Sequence, residues 1–119
     1  MTGLTTHILD LSKGIPATNV QIELYFQEQT LSEWKKLKTT ITNSDGRLDQ
    51  PILSEKEMKL GNFELIFHIG EYFRSQHTEL PDPLFLDKVP VRFGVSDTKA
   101  HYHVPLLVSP WGYQVYRGS

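Results

Sequence analysis

Cysteine is absent from the chain. That excludes a disulfide framework and any chemistry that runs through a thiolate. A surplus of one charge is missing too. Twelve basic residues stand against fourteen acidic ones, and the net charge is −2. Neither a nucleic-acid partner nor a membrane surface is expected of such a chain. No apolar stretch approaches the roughly 20 residues that cross a bilayer. The first residues, Met1 to His7, carry no basic segment followed by a long apolar one, so no signal peptide is expected. The ending Arg117-Gly118-Ser119 differs from the peroxisomal Ser-Lys-Leu address. A cytoplasmic location is the resulting expectation. No glycine-rich loop leads into a helix to cradle phosphate, and no serine sits in a nucleophile elbow. Repeats, low-complexity segments and linkers are also lacking. With 119 residues, 39% of them hydrophobic and 22% charged, residues 1–119 read as one ordinary domain with a real core.

What the chain does have is alternation. Leu4 to Leu11 is rich in β-formers, with Thr5, His7, Leu9 and Leu11 on one face and Thr6, Ile8 and Asp10 on the other. Lys13-Gly14-Ile15-Pro16 punctuates it. Val20 to Phe26 is the cleanest strand, with Val20, Ile22, Leu24 and Phe26 facing in. Leu31 to Thr42 fits helical spacing at Leu31, Trp34, Leu37 and Ile41. Its Thr-rich end and the Asp45-Gly46 that follows favour a strand from Glu33 to Thr42 entering a hairpin, with Arg47 to Pro51 returning. Ser54 to Lys59 is polar and reads as a loop. Phe63 to Ile69 alternates again. Gly70 to His77 makes about two turns of helix, stopped before Pro81-Asp82-Pro83. Val89 to Val95 alternates but contains Pro90, which points to an edge strand. About eight short strands, one short helix and evenly spaced turns predict an all-β fold, an antiparallel β-sandwich.

The last nineteen residues organise the rest. His101 to Leu107 alternates, Ser109-Pro110-Trp111-Gly112 forms a turn, and Tyr113 to Tyr116 returns. His101, His103, Pro105 and Leu107 share one face, while Tyr102, Val104 and Leu106 share the other. A face with two imidazoles and a proline is a poor core face, so it looks out at a ligand, at solvent or at another subunit. Gln114, Tyr116 and Gly118 share a face of the return strand. The final Tyr116-Arg117-Gly118-Ser119 runs straight out of that strand, either held in place or frayed.

His101-x-His103 is a metal-ligand spacing, and His7 is a possible third ligand. The hairpin offers no Asp or Glu to complete or orient such a site, so no metal is assigned. His68 and His77 show no partner and read as surface or structural residues. Arg47 beside its turn has an ordinary reading as a solvated cation. A second reading groups His7, Arg47, His103 and Tyr116. A guanidinium near an imidazole disfavours the imidazolium and lowers its pKa. The imidazole then stays neutral near pH 7, where it can take a proton from water. Arg47 meanwhile suits an anionic or carbonyl-rich substrate. That cluster suits hydrolysis by activated water, with neither metal nor cofactor.

Four stretches carry a resemblance: LTTHILD at 4–10, DGR at 45–47, HYHVPLLVSP at 101–110 and YRGS at 116–119. In that order they resemble the transthyretin-related family of the 5-hydroxyisourate hydrolases, and the likeness spans about residue 4 to residue 119. It implies a transthyretin-like sandwich of two four-stranded sheets with one short helix. It implies a homotetramer, a dimer of dimers, whose central channel carries the active sites. The implied reaction is ring opening of 5-hydroxyisourate by water, in urate degradation. The family motif makes His7, Arg47, His103 and Ser119 catalytic, and His7, Arg47, His103 and Tyr116 substrate-binding. One histidine, His7 slightly favoured, would be the base, Arg47 would stabilise charge on the substrate oxygen, and Tyr116 and Ser119 would orient substrate or a histidine. His101 matches the motif without a clear task. Two other readings stay open: the hormone carrier of the same fold, which lacks the His/Arg/His set, and a module that binds partners by its edge strands.

Overall fold

The computed structural model describes residues 3–28, 30, 32–76 and 79–118. Eight strands form two four-stranded sheets that face each other. The first sheet has the order β2 (Ile15–Pro16), β1 (Gly3–Asp10), β7 (His101–Ser109), β8 (Gly112–Val115). The second has the order β4 (Lys35–Ile41), β3 (Gln21–Gln27), β5 (Gly61–His68), β6 (Lys88–Val95). One helix, α1 (Ile69–Gln76), follows β5 directly. The two-sheet sandwich with one short helix is therefore the observed fold.

The period-two pattern explains the layers. Leu4 and Ile8 of β1 and Val104, Leu106 and Val108 of β7 point inward from the first sheet. Ile22 and Leu24 of β3, Phe63, Leu65 and Phe67 of β5 and Val89 and Val95 of β6 meet them from the second. Complete burial of a side chain such as Phe63 or Phe67 contributes about 1.5–3 kcal/mol relative to leaving it exposed. Helix α1 closes one end with Ile69, Tyr72 and Phe73. Its Tyr72 hydroxyl donates to the carboxylate of Asp10 at 2.7 Å. Asp10 is wholly buried and also accepts from the Ser12 backbone N–H. The bond fastens the helix to the end of β1, and burial with that carboxylate pushes the Tyr72 phenol well up. Among the described residues no helix is long and apolar enough to cross a membrane.

Several expectations change in detail. Five strand pairings are antiparallel, but β1 and β7 run parallel, from Gly3 opposite His101 to Asp10 opposite Val108. The sandwich is therefore mixed, because the two strands are joined by the whole of the second sheet rather than by a hairpin. The Asp45-Gly46 turn is not a β-hairpin either. After β4 the chain leaves its sheet, turns at Asn43–Arg47 and runs along the edge of β1, where Arg47 bridges His7 and Leu53 bridges Leu4. Arg47–Pro51 is thus no ladder strand, and two-residue β2, hidden in a punctuation signal, completes the eight. Ser54–Lys59 contains a 3-10 turn at Glu55–Glu57 with a capping box. Strand β6 lies at a sheet edge, as Pro90 requires. His68 gains a partner that the linear sequence hides: its Nε2 lies 2.6 Å from Glu23 of β3. Hydrogen bonds from His68 and Lys36 hold the Glu23 carboxyl down at about 2.

Candidate active site

The outward face of the first sheet carries the site. Alternation along β1 and β7 sends Leu4, Thr6 and Ile8 inward with Tyr102, Val104 and Leu106. That leaves Thr5, His7, His101 and His103 half-buried on the other side. The parallel register sets Thr5 opposite His103 and His7 opposite Pro105. Thr6, facing in, donates its hydroxyl to the Val104 carbonyl at 2.6 Å and ties the two strands together.

Arg47 reaches this face through its turn. Asn43 closes the turn with its side-chain oxygen, which accepts from the N–H groups of Asp45 and Arg47. Gly46 has φ 72, a left-handed conformation that suits glycine. A Cβ there would run into the Ile8 carbonyl oxygen. The turn therefore presses onto β1, where the Ile8 N–H donates to the Gly46 carbonyl at 2.9 Å. Arg47 emerges beside His7, exposed, and its charge acts on both His7 and His103.

A cleft of about 220 Å³ opens here, lined by Thr5, Arg47, Asp49, Gln50, His101 and His103 among others. Burial and then the Arg47 charge hold the His103 imidazole below its ordinary pKa, with His101 and His7 adding to the effect. His7 is lowered by the same two leading causes, opposed by Asp45, whose backbone carbonyl accepts from the ring. Both rings are therefore biased toward the neutral form. The Thr5 hydroxyl stands between the imidazoles of β7, 2.8 Å from His101 Nε2 and 2.8 Å from His103 Nδ1. With Nδ1 engaged, Nε2 is the ring nitrogen of His103 left for a ligand.

The end of the chain is tied to this ring's backbone. The Gly118 N–H donates to the His103 carbonyl at 2.7 Å. A Cβ on Gly118 would come within 2.7 Å of His103 Cδ2. Arg117 lies over the Tyr102 ring, 4.2 Å from its centroid, and donates to the His101 carbonyl. The held reading of the terminus is therefore the observed one as far as Gly118; Ser119, a candidate catalytic residue, and His77 lie outside the described residues.

The structure brings Arg47, His103 and His101 to the cleft, while His7 and Tyr116 lie outside its lining. Tyr116 stands level with Pro105 in the β7–β8 register, since Val115 opposes Leu106 and Gly118 opposes His103. It borders a second cleft, of about 260 Å³, with Arg92, Phe93, Tyr102 and Arg117. Sequence reasoning did not single out Thr5, although its place beside His7 in an alternating strand fixes its face. Among the described residues, no group of three or more His, Asp or Glu side chains is arranged to hold a metal ion.

An eight-stranded, two-sheet sandwich with a cluster of imidazoles and a guanidinium on one outer sheet face defines a class of small-molecule sites built on a transthyretin-like frame. The model of the HIUase/Transthyretin family matches residues 4–118, and the chain belongs to that family. It is 51% identical over 116 residues to 5-hydroxyisourate hydrolase 2 of Rhizobium meliloti (strain 1021), covering 98% of this chain and 95% of that one. Among solved structures it is similar to an (S)-allantoin synthase, with TM-score 0.90 and 42% identity over 99% of this chain. It spans only 44% of that longer chain. The Klebsiella pneumoniae 5-hydroxyisourate hydrolase matches over 100% of both chains, with TM-score 0.79 and 29% identity.

Proposed function

We propose that this chain is a 5-hydroxyisourate hydrolase, opening the six-membered ring of its substrate with water to give 2-oxo-4-hydroxy-4-carboxy-5-ureidoimidazoline. The observation that carries the reading is the meeting of Arg47 with a neutral, oriented His103 in one cleft. The names of relatives up to 51% identical support the choice of substrate. In the proposed reaction His103 Nε2 takes a proton from water, and the oxygen bonds to a ring carbonyl carbon. Charge builds on that carbonyl oxygen, and Arg47 stabilises it. The ring C–N bond then breaks, and the nitrogen takes the proton back from the imidazolium. The family resemblance slightly favours His7 as the base. The proposal takes His103 instead, supported by its place in the cleft lining and by the bond of the His7 ring to Asp45. His7 then serves to hold the electrostatics beside Arg47. Tyr116 and Ser119 belong to this proposal as groups that orient the substrate or a histidine, as the family resemblance implies. A homotetramer fits the exposed aromatic side chains in and beside β8, Trp111, Tyr113 and Tyr116.

The direct test generates 5-hydroxyisourate from urate with urate oxidase and follows its ultraviolet decay with and without this protein. Acceleration over the spontaneous rate is the expected result. A folded protein that leaves the decay unchanged would overturn the reading and turn attention to ligand binding without turnover. Gly118→Ala probes the anchored end. Its added methyl displaces the His103 ring, and kcat is expected to fall by up to about 10²-fold, the scale of a misplaced reactive group. Thermal melting should barely move. An equal loss of stability and rate would assign Gly118 to folding alone.

A further inference from the structure

The reaction outlined above gives Thr5 and His101 no task, yet their geometry is specific. A threonine hydroxyl has one proton and two acceptor lone pairs. It can donate to only one of the two imidazoles that flank it at 2.8 Å, and the other must then donate to it. The three groups form a directional chain in which the tautomer of one ring sets that of the other. If His101 donates to Thr5 and Thr5 to His103, then His103 carries its proton on Nε2 and cannot accept one from water. In the opposite direction His103 Nδ1–H donates to Thr5, Thr5 donates to His101 Nε2, and the Nε2 lone pair of His103 is open to the cleft.

We infer that Thr5 and His101 are positioning residues that hold His103 as the Nδ1–H tautomer, with its Nε2 presented as the base. The inference rests on the hydrolase reading. When Nε2 takes the proton from water, the imidazolium Nδ1–H keeps Thr5 as acceptor, a bond that strengthens with charge. The same proton leaves from Nε2 to the departing nitrogen, so no net proton crosses Thr5 and the chain of bonds returns to its start. Other groups also bear on this ring. Arg47 and Asp49 approach from the loop along β1, His7 from β1 and His101 from the same strand, while Arg117 turns instead to the Tyr102 ring and the His101 carbonyl. None of them takes the place of Thr5 at Nδ1. The hydroxyl is fixed by backbone pairing, since Thr5 opposes His103 and Gly3 opposes His101 in the parallel ladder.

The test uses the whole chain labelled with 15N. Long-range 1H–15N spectra at neutral pH read the imidazole tautomers, and the ultraviolet assay reads kcat and KM across pH. The wild type is expected to show His103 as Nδ1–H. Thr5→Val, which removes only the hydroxyl, should give a mixture of tautomers. Its kcat should be about tenfold lower, the low end of what partners of an active imidazole contribute, with KM nearly unchanged. The acid limb should move to lower pH because the imidazolium has lost an acceptor. Thr5→Ser, which restores the hydroxyl, should recover the tautomer and most of the rate. His101→Phe should also release the tautomer preference, and it serves if Thr5→Val does not fold. A wild-type His103 protonated on Nε2, or an unchanged Nδ1–H fraction in both variants, would overturn the inference. Full kcat in Thr5→Val, in a protein whose wild type hydrolyses the substrate, would overturn it alone. A wild type that shows the Nδ1–H tautomer yet fails to accelerate the decay overturns the hydrolase reading and supports the hydrogen-bond chain.

Discussion

Arg47→Ala is expected to lower kcat for 5-hydroxyisourate by about 10²–10³-fold, the cost of removing one donor from a developing oxyanion. The guanidinium has two roles in this site. It is a cation on the cleft wall, which in the proposed reaction would face a substrate carbonyl. It is also the second-largest cause that keeps His7 and His103 below their ordinary pKa, after burial. Removing it therefore also moves the pH profile. In the proposed mechanism the neutral imidazole is the active form, so activity is expected to be lost as pH falls through its pKa. Without Arg47 that pKa rises, and the acid limb moves to higher pH. Arg47→Lys separates the roles. Its ammonium keeps the charge and much of the pKa depression, but it lacks the planar fork that makes two parallel hydrogen bonds. The lysine variant should keep the wild-type acid limb and recover only part of the rate. A pH–rate series on the three proteins decides the matter. An alanine variant with unchanged kcat and limb would remove Arg47 from the site.

His103→Gln is expected to cost about 10²–10⁴-fold in kcat, the usual contribution of a positioned general base. The ring is half-buried on the outer face of β7, away from the core, so the fold should survive, with its melting temperature little changed. His7→Gln is the informative companion. If His103 is the base, His7→Gln should lose less and should raise the pKa of the remaining acid limb, since His7 is one of the groups that lower His103. A larger loss in His7→Gln than in His103→Gln, measured by the same decay assay, would reassign the base to His7.

Much of the frame was legible because burial writes itself into a strand with period two. Val20 to Phe26 reads correctly for that reason, as does the inward set Tyr102, Val104, Leu106. The opposite face of β7 was recognisable by exclusion, since imidazoles do not belong in an apolar core. Pairing partners were not legible. The parallel meeting of β1 and β7 depends on segments separated by about the whole chain, and no local signal encodes it. The Asp45-Gly46 turn was read from its dipeptide, but where it leads depends on Gly46 fitting against β1. Thr5 had no signal beyond its face, because a hydroxyl gains its role only when the register brings two imidazoles to it. Tyr116 was grouped with the histidines by motif. Its register keeps it level with Pro105, and its border with the second cleft has no mark in the linear sequence.

The parallel pairing of β1 with β7 has a consequence for how the protein is made. On the ribosome β1 is synthesised well before its main partner β7. Thr5 and His103 lie 98 positions apart, so bringing them together closes nearly the whole chain into one loop, a contact that folding reaches slowly. The second sheet can pair β3, β4 and β5 through nearer contacts while β1 waits. Every histidine–threonine contact of the site spans that gap. A nascent chain that stops short of β7 can set Arg47 beside His7, but it lacks both imidazoles that flank Thr5, so the cleft is completed only in a late event.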